Sequence, residues 1–204
     1  MNTRTDRARR THRARFRLAD RPGAERLRLL AMTLVVVAAG TALAWDEPDA
    51  VRGLTWGASQ EDLRRVAKDR GEPAPLCAAA APHETCTTGG EIGSVRATIH
   101  YRFRDDKFVS VALGFLPTDF SLIRTIFVER YGQPTKRREE RFQTWSRQKA
   151  MNPVLVWEGR NVNIELRMYG RTLSTGLAEI VLRSEMDQLD AERSKSIKKG
   201  KDDL

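Results

Sequence analysis

The sequence predicts an α+β domain: a single antiparallel sheet with helices on one face, in the order α-β-β-α-β-β-β. Three observations carry that expectation. Apolar residues recur at helical spacing in two segments, near 60–70 and 120–131. They alternate at period two in 95–103, 109–115, 162–168 and 178–182. The second face of those strands is polar, so one side of the sheet meets water, and helices on the other side bury every apolar stripe at once.

Taken in order, "VRGLTWGASQEDLRRVAKDRG" contains the first helix. Ser59 followed by Asp62 approximates a capping box, Leu63, Val66 and Ala67 form one apolar face, and Gly71 ends the run. Trp56 stands just outside, either as a packing cover for the helix end or, with Gly57, as a platform for a ligand. From Val95, the residues Val95, Ala97, Ile99, Tyr101 and Phe103 share one face, and Val109, Val111, Leu113 and Phe115 answer them. Asp105 and Asp106 suit the tight turn of this hairpin. His100 falls on the opposite face with Arg96, Thr98 and Arg102 and reads as a solvated strand residue.

The second helix, in "PTDFSLIRTIFVERYGQP", aligns Phe120, Ile123, Phe127 and Tyr131; Thr118 or Asp119 caps its start, and Gly132 and Pro134 end it. Strands follow in "ERFQTWSR", "NPVLVW", "VNIELRMY" and "GLAEIVLR", with the turn Glu158-Gly159-Arg160-Asn161 between the second and third. The domain is expected over 50–186. The charged remainder, 187–204, has almost nothing to bury and reads as a frayed helix passing into a disordered tail.

Charge separates the chain into two parts. The whole carries +9, but residues 1–44 hold ten arginines against Asp6, Asp20 and Glu25, which leaves the rest close to neutral. A basic stretch over 1–28 followed by the uncharged run from 29 reads as the n-region and h-region of a signal peptide, and Ala42-Leu43-Ala44 as its cleavage site, ahead of Trp45. The alternative is an uncleaved anchor, since that run reaches roughly 25 Å as a helix, just short of the ~30 Å hydrocarbon core. Either way the domain crosses the inner membrane and the arginines stay behind. Contact with the membrane through a cleaved leader is transient. No aromatic platform or helical stripe organises the arginines, so nucleic acid is not an expected partner.

An oxidising compartment gives Cys77 and Cys86 the reading of a disulfide. It would pin the Ala-Pro-rich excursion "CAAAAPHETC", expected to lack core contacts, and contribute on the order of 2 to 3 kcal/mol. Two other readings stand beside it: Cys77, His83 and Cys86 as metal ligands without a recognisable fourth, and a reactive cysteine with His83 or His100 as base.

The segments "GLTWGASQEDL", "YRFRDDKFVSVALGF" and "ERYGQP" resemble those of small exported bacterial domains of uncharacterised function, with their Gly-x-x-Trp-Gly-x-Ser helix start and Tyr-Gly-x-Pro helix exit. More distantly, the order of elements is similar to that of small outer-membrane assembly lipoproteins and β-lactamase inhibitor proteins, both of which bind other proteins. The lipid-attachment cysteine of the former is absent here.

The sequence holds no P-loop, dinucleotide fingerprint, nucleophile elbow or zinc-protease helix, and nothing in it calls for a cofactor or metal. The resulting expectation is an exported, periplasmic or secreted, non-catalytic protein that binds an envelope protein or cell-wall ligand. Arg96, Arg102, Arg104 and Lys107, with Trp56, form the candidate binding face. A membrane-anchored accessory subunit and a hydrolase drawing on Asp105, Asp106 and the histidines are the alternatives.

Overall fold

The computed structural model describes residues 45–143 and 149–202. The leader, its cleavage site and Trp145 lie outside the described residues.

The chain is mixed α and β, as expected, but the sheet is larger than the sequence suggested and the element order differs. A small hairpin, β1 (Ala50–Val51) and β2 (Leu54–Thr55), precedes α1 (Gln60–Asp69). Four strands follow: β3 (Leu76–Ala80), β4 (His83–Ile92), β5 (Val95–Arg104) and β6 (Lys107–Phe115). A short 3-10 turn then leads into α2 (Phe120–Tyr131). Four more strands come next: β7 (Lys136–Gln143), β8 (Lys149–Glu158), β9 (Val162–Arg167) and β10 (Gly176–Leu182). The last element is α3 (Arg183–Asp202). A helix followed by a four-stranded meander therefore occurs twice. The two meanders join through the antiparallel pair β6–β10 into one eight-stranded sheet of order β3-β4-β5-β6-β10-β9-β8-β7.

One face of the sheet carries the core. Ile99, Leu113, Ala178 and Leu166 lie in one cross-strand row, with Tyr101, Val111, Ile180 and Ile164 in the next. All eight are buried against Leu63 of α1 and Ile123 and Phe127 of α2. The helix signals behave as read for α1: Ser59 and Asp62 form the reciprocal capping box, which satisfies two otherwise orphaned N–H groups. At α2, Asp119 is the N-cap residue but makes no side-chain cap bond, because the 3-10 turn opened by Pro117 continues directly into the helix. The hairpin turn places Asp105 and Asp106 at φ of 51° and 57°, the left-handed pair that a two-residue turn requires.

Four expectations are corrected. The excursion 77–86 is the β3–β4 hairpin, and Cys86 is fully buried in the core. A register shift between Arg102 and Phe103 brings Phe108, not Val109, onto the core face opposite Phe103. The helix expected at the C-terminus is α3, helical through Asp202, but it sits on the opposite face from α1 and α2, so the helices do not share one side. The packed region also begins before residue 50. Trp45 is buried, its Nε1 donates to the Glu158 carbonyl at 2.9 Å, and Glu47 accepts from the backbone N–H groups of Arg160, Asn161 and Val162 at 2.6, 2.8 and 3.2 Å.

Candidate functional site

The face of the sheet away from α1 and α2 is polar, and its side chains follow directly from the period of the strands. Thr85 and Thr87 of β4, Thr98, His100 and Arg102 of β5, Ser110, Ala112 and Gly114 of β6, and Leu177 and Glu179 of β10 alternate with the core residues and so share this face. Beyond them stand Asn163, Glu165 and Arg167 of β9 and Lys136, Arg138 and Glu140 of β7.

The β7–β9 half is closed upon itself by ion pairs. Arg138 donates to Glu140 at 2.7 Å and to Glu165 at 2.9 Å; Arg167 donates to Glu140 at 2.7 Å and also contacts Glu165. Burial opposes the charge on Glu140, but the Arg138 and Arg167 guanidinium groups outweigh it and hold the carboxyl below its usual range. Each charge in this lattice has a partner.

The β4–β6 half differs. Register places Gly89, Thr98 and Gly114 in one row across three strands, and no atom lies within 4 Å of where a Cβ on Gly89 would be. The missing side chains leave a trough of about 690 Å³, and a second hollow of about 390 Å³ adjoins it, sharing His100, Gly114 and Thr175. The β9–β10 loop supplies one wall through Arg171, Thr172, Ser174 and Thr175. His100 stands where the two hollows meet. Its Nδ1 lies 2.9 Å from the Thr87 hydroxyl, while Nε2 has no hydrogen-bond partner among the described residues. Burial, then the neighbouring Arg102 charge, pushes the imidazole below its ordinary pKa, so the ring is neutral near pH 7. Arg96 and Arg171, which also line these hollows, make no ion pair among the described residues.

The sequence-derived binding residues are dispersed by this arrangement. Arg96 lines the trough, and Lys107 is exposed at the hairpin turn. Arg102 is 3.6 Å from Glu179. Arg104 is taken up by Glu185 and Glu192. Trp56 stacks on Phe108 with centroids 4.7 Å apart and donates from Nε1 to the Pro48 carbonyl, which is the packing role. Cys77 and Cys86 face each other across β3 and β4 with sulfurs 2.03 Å apart. His83, three residues before Cys86 on β4, lies on the opposite face of the sheet and contacts Glu185 at 2.6 Å, so the two cysteines and His83 do not converge. His100 is half-buried rather than freely solvated. Asp106 accepts from the Gln60 N–H at 3.0 Å, at the start of α1.

Glu179, Glu185 and the hydroxyls of 172–175 went unread in the sequence. Glu179 was discoverable, as a polar residue alternating with Ala178 and Ile180; the others depend on cross-strand placement. Among the described residues no group of histidine, cysteine and carboxylate side chains is placed to hold a metal ion, and no helix is long and apolar enough to cross a membrane. Comparison with protein-family models, curated proteins and solved structures finds no match.

Proposed function

We propose that the protein is exported and acts by binding, taking part of an envelope protein or cell-wall ligand into the trough around His100. The observation that carries this reading is a contrast within one face. The β7–β9 half spends its charges on itself, whereas His100 Nε2, Arg96 and Arg171 stand unpaired among the described residues beside a glycine-floored hollow. Unpaired polar groups around a concavity are what a ligand with complementary hydrogen-bonding groups needs. Binding is favoured over hydrolysis because His100 meets a hydroxyl and an arginine, with no carboxylate among the described residues to orient it as a base. The export reading rests on the basic stretch, the uncharged run and the Ala42-Leu43-Ala44 pattern ahead of Trp45.

A photo-crosslinking residue at Thr98, in the trough, tests the site, with the same residue at Glu139 on the charged edge as control. The expected result in intact envelopes is a defined adduct from position 98 that disappears with Gly114→Trp. Equal adducts from both positions, or one indifferent to Gly114→Trp, would refute the site. Mass spectrometry of the mature N-terminus tests export separately: Trp45 is expected first.

A further inference from the structure

α3 is held to the sheet in an unusual way. Glu185 is its only buried side chain among the described residues, at 2% exposure, and it is a carboxylate. Arg104 grips it in two-pronged fashion, Nε to Oε2 and Nη2 to Oε1, each at 2.8 Å, and His83 approaches Oε1 at 2.6 Å. One turn pair further on, Glu192 takes the remaining Arg104 Nη1 at 2.7 Å. Between these acids, Met186 and Leu189 turn toward the sheet, and Asn163 reaches the Met186 sulfur at 3.2 Å. Residues 185, 186, 189 and 192 fall on one helical face.

The apolar pair does not fill its seat. Met186 and Leu189 are each 38% exposed, and a cavity of about 430 Å³ remains between them and a floor that mixes Val156 and Val181 with Arg102, Arg138, Glu165 and Glu179. A helix fixed by an ionic lock over unfilled space gains little from packing, and such elements open locally at less cost than the core.

We propose that α3 is an autoinhibitory helix: its Glu185–Met186–Leu189–Glu192 face occupies in cis a docking surface that takes an acidic amphipathic helix from a partner protein in trans. The surface selects acid at both ends through Arg104 and apolar side chains between them through the Val156 and Val181 part of the cavity floor. A helix with larger apolar groups at the two central positions fills the space that Met186 and Leu189 leave and displaces α3. This surface lies at the Arg104 end of the face; its cavity shares Arg102 and Glu179 with the second hollow but no residue with the trough that holds Thr98, so probe binding and the crosslink from position 98 can fail separately.

The test uses the full chain and a fluorescent peptide of the α3 sequence 183–196 as probe. In Glu185→Ala, hydrogen exchange over 186–192 is expected to rise at least tenfold while β5, β6 and β10 keep their protection. The same variant is expected to bind the probe at least tenfold more tightly than the unaltered chain, and a probe with its own Glu185→Ala is expected to lose that gain. Unchanged exchange in α3, or equal probe binding by both proteins, overturns the proposal. Should Glu185→Ala lower protection across the sheet, Glu192→Ala, which removes the more exposed acid and leaves Arg104 paired, is read by the same two measurements and the same criteria.

Discussion

Replacing Glu47 with alanine should cost about 2 kcal/mol of stability, a value that follows from how its three acceptor contacts are placed. The carboxylate receives the backbone N–H groups of Arg160, Asn161 and Val162 at 2.6, 2.8 and 3.2 Å, across the β8–β9 turn. Hydrogen bonds to a charged group are worth about 1.5–3 kcal/mol each, but only where water cannot replace them. Arg160 and Asn161 are exposed and recover water as a partner, whereas Val162 is 1% exposed and does not. One bond lost in full and two lost in part give about 2 kcal/mol, which for a domain of this size lowers the melting temperature by about 4–8 °C. The effect should depend on pH in a stated direction. Burial raises the Glu47 pKa, but the three N–H groups and then the Arg160 charge outweigh it and depress the folded value. The contribution is therefore complete above the ordinary carboxylate range and is lost as pH falls through the depressed folded pKa. Denaturant titrations at pH 7 and at successively lower pH measure both quantities. A gap between the two proteins below about 0.5 kcal/mol at pH 7, or one that does not narrow on acidification, would refute the reasoning.

Three further outcomes are expected. A Cβ on Gly176 would overlap the buried Phe115 ring, so Gly176→Ala should destabilise by about 1–3 kcal/mol, and Phe115→Leu in the same chain should recover part of that in a thermal melt. Cys77 and Cys86 are nine residues apart, and loop closure of that length is worth roughly 2.5 kcal/mol; the double serine variant should lose at least that much in denaturant unfolding, because a hydroxyl at the buried position of Cys86 adds its own desolvation cost, and no loss would count against the bond's structural role. An NMR titration of His100 should give a midpoint below the ordinary value of about 6.5, and Arg102→Gln should move it upward by removing the smaller of the two causes. Because the folded pKa is depressed, the neutral ring adds stability that is present above the unfolded value and declines as pH drops through the interval down to the folded one.

The parts of this fold that could be read from the chain were those where one face of an element is uniformly apolar. β5, β9 and β10 alternate without interruption, and α2 repeats large apolar residues at helical spacing, so burial and sequence carry the same message. β3 and β4 do not, because the residues that β4 turns inward are Cys86, Thr88 and Gly90, too small to mark a period. The matched cysteines, directly opposed in register, were the available clue. β7 begins earlier than expected because its edge position surrounds it with charge, and "KRREER" has no apolar face to show. For the same reason the sequence shows α3 only as a frayed helix with little to bury. Its attachment is one carboxylate meeting Arg104 and His83 from distant strands, a relation that hydropathy does not record. The trough was invisible in a stronger sense. It exists because Gly89, Thr98 and Gly114 fall side by side, and that adjacency comes from strand register rather than from any local pattern.

The order of strands has a bearing on how the molecule can be divided. Each half places its last strand, β6 or β10, at the middle of the sheet, and these two run antiparallel, so the halves are related as two protomers about a local dyad would be. Severed from its sister, either half would present an inner strand whose backbone N–H and C=O groups have lost their partners, the one that carries Val111 and Leu113 in one case and Ala178 and Ile180 in the other. The join is thus not a hinge between modules that could be traded separately, and cutting the chain between the meanders yields two sticky fragments rather than two smaller proteins.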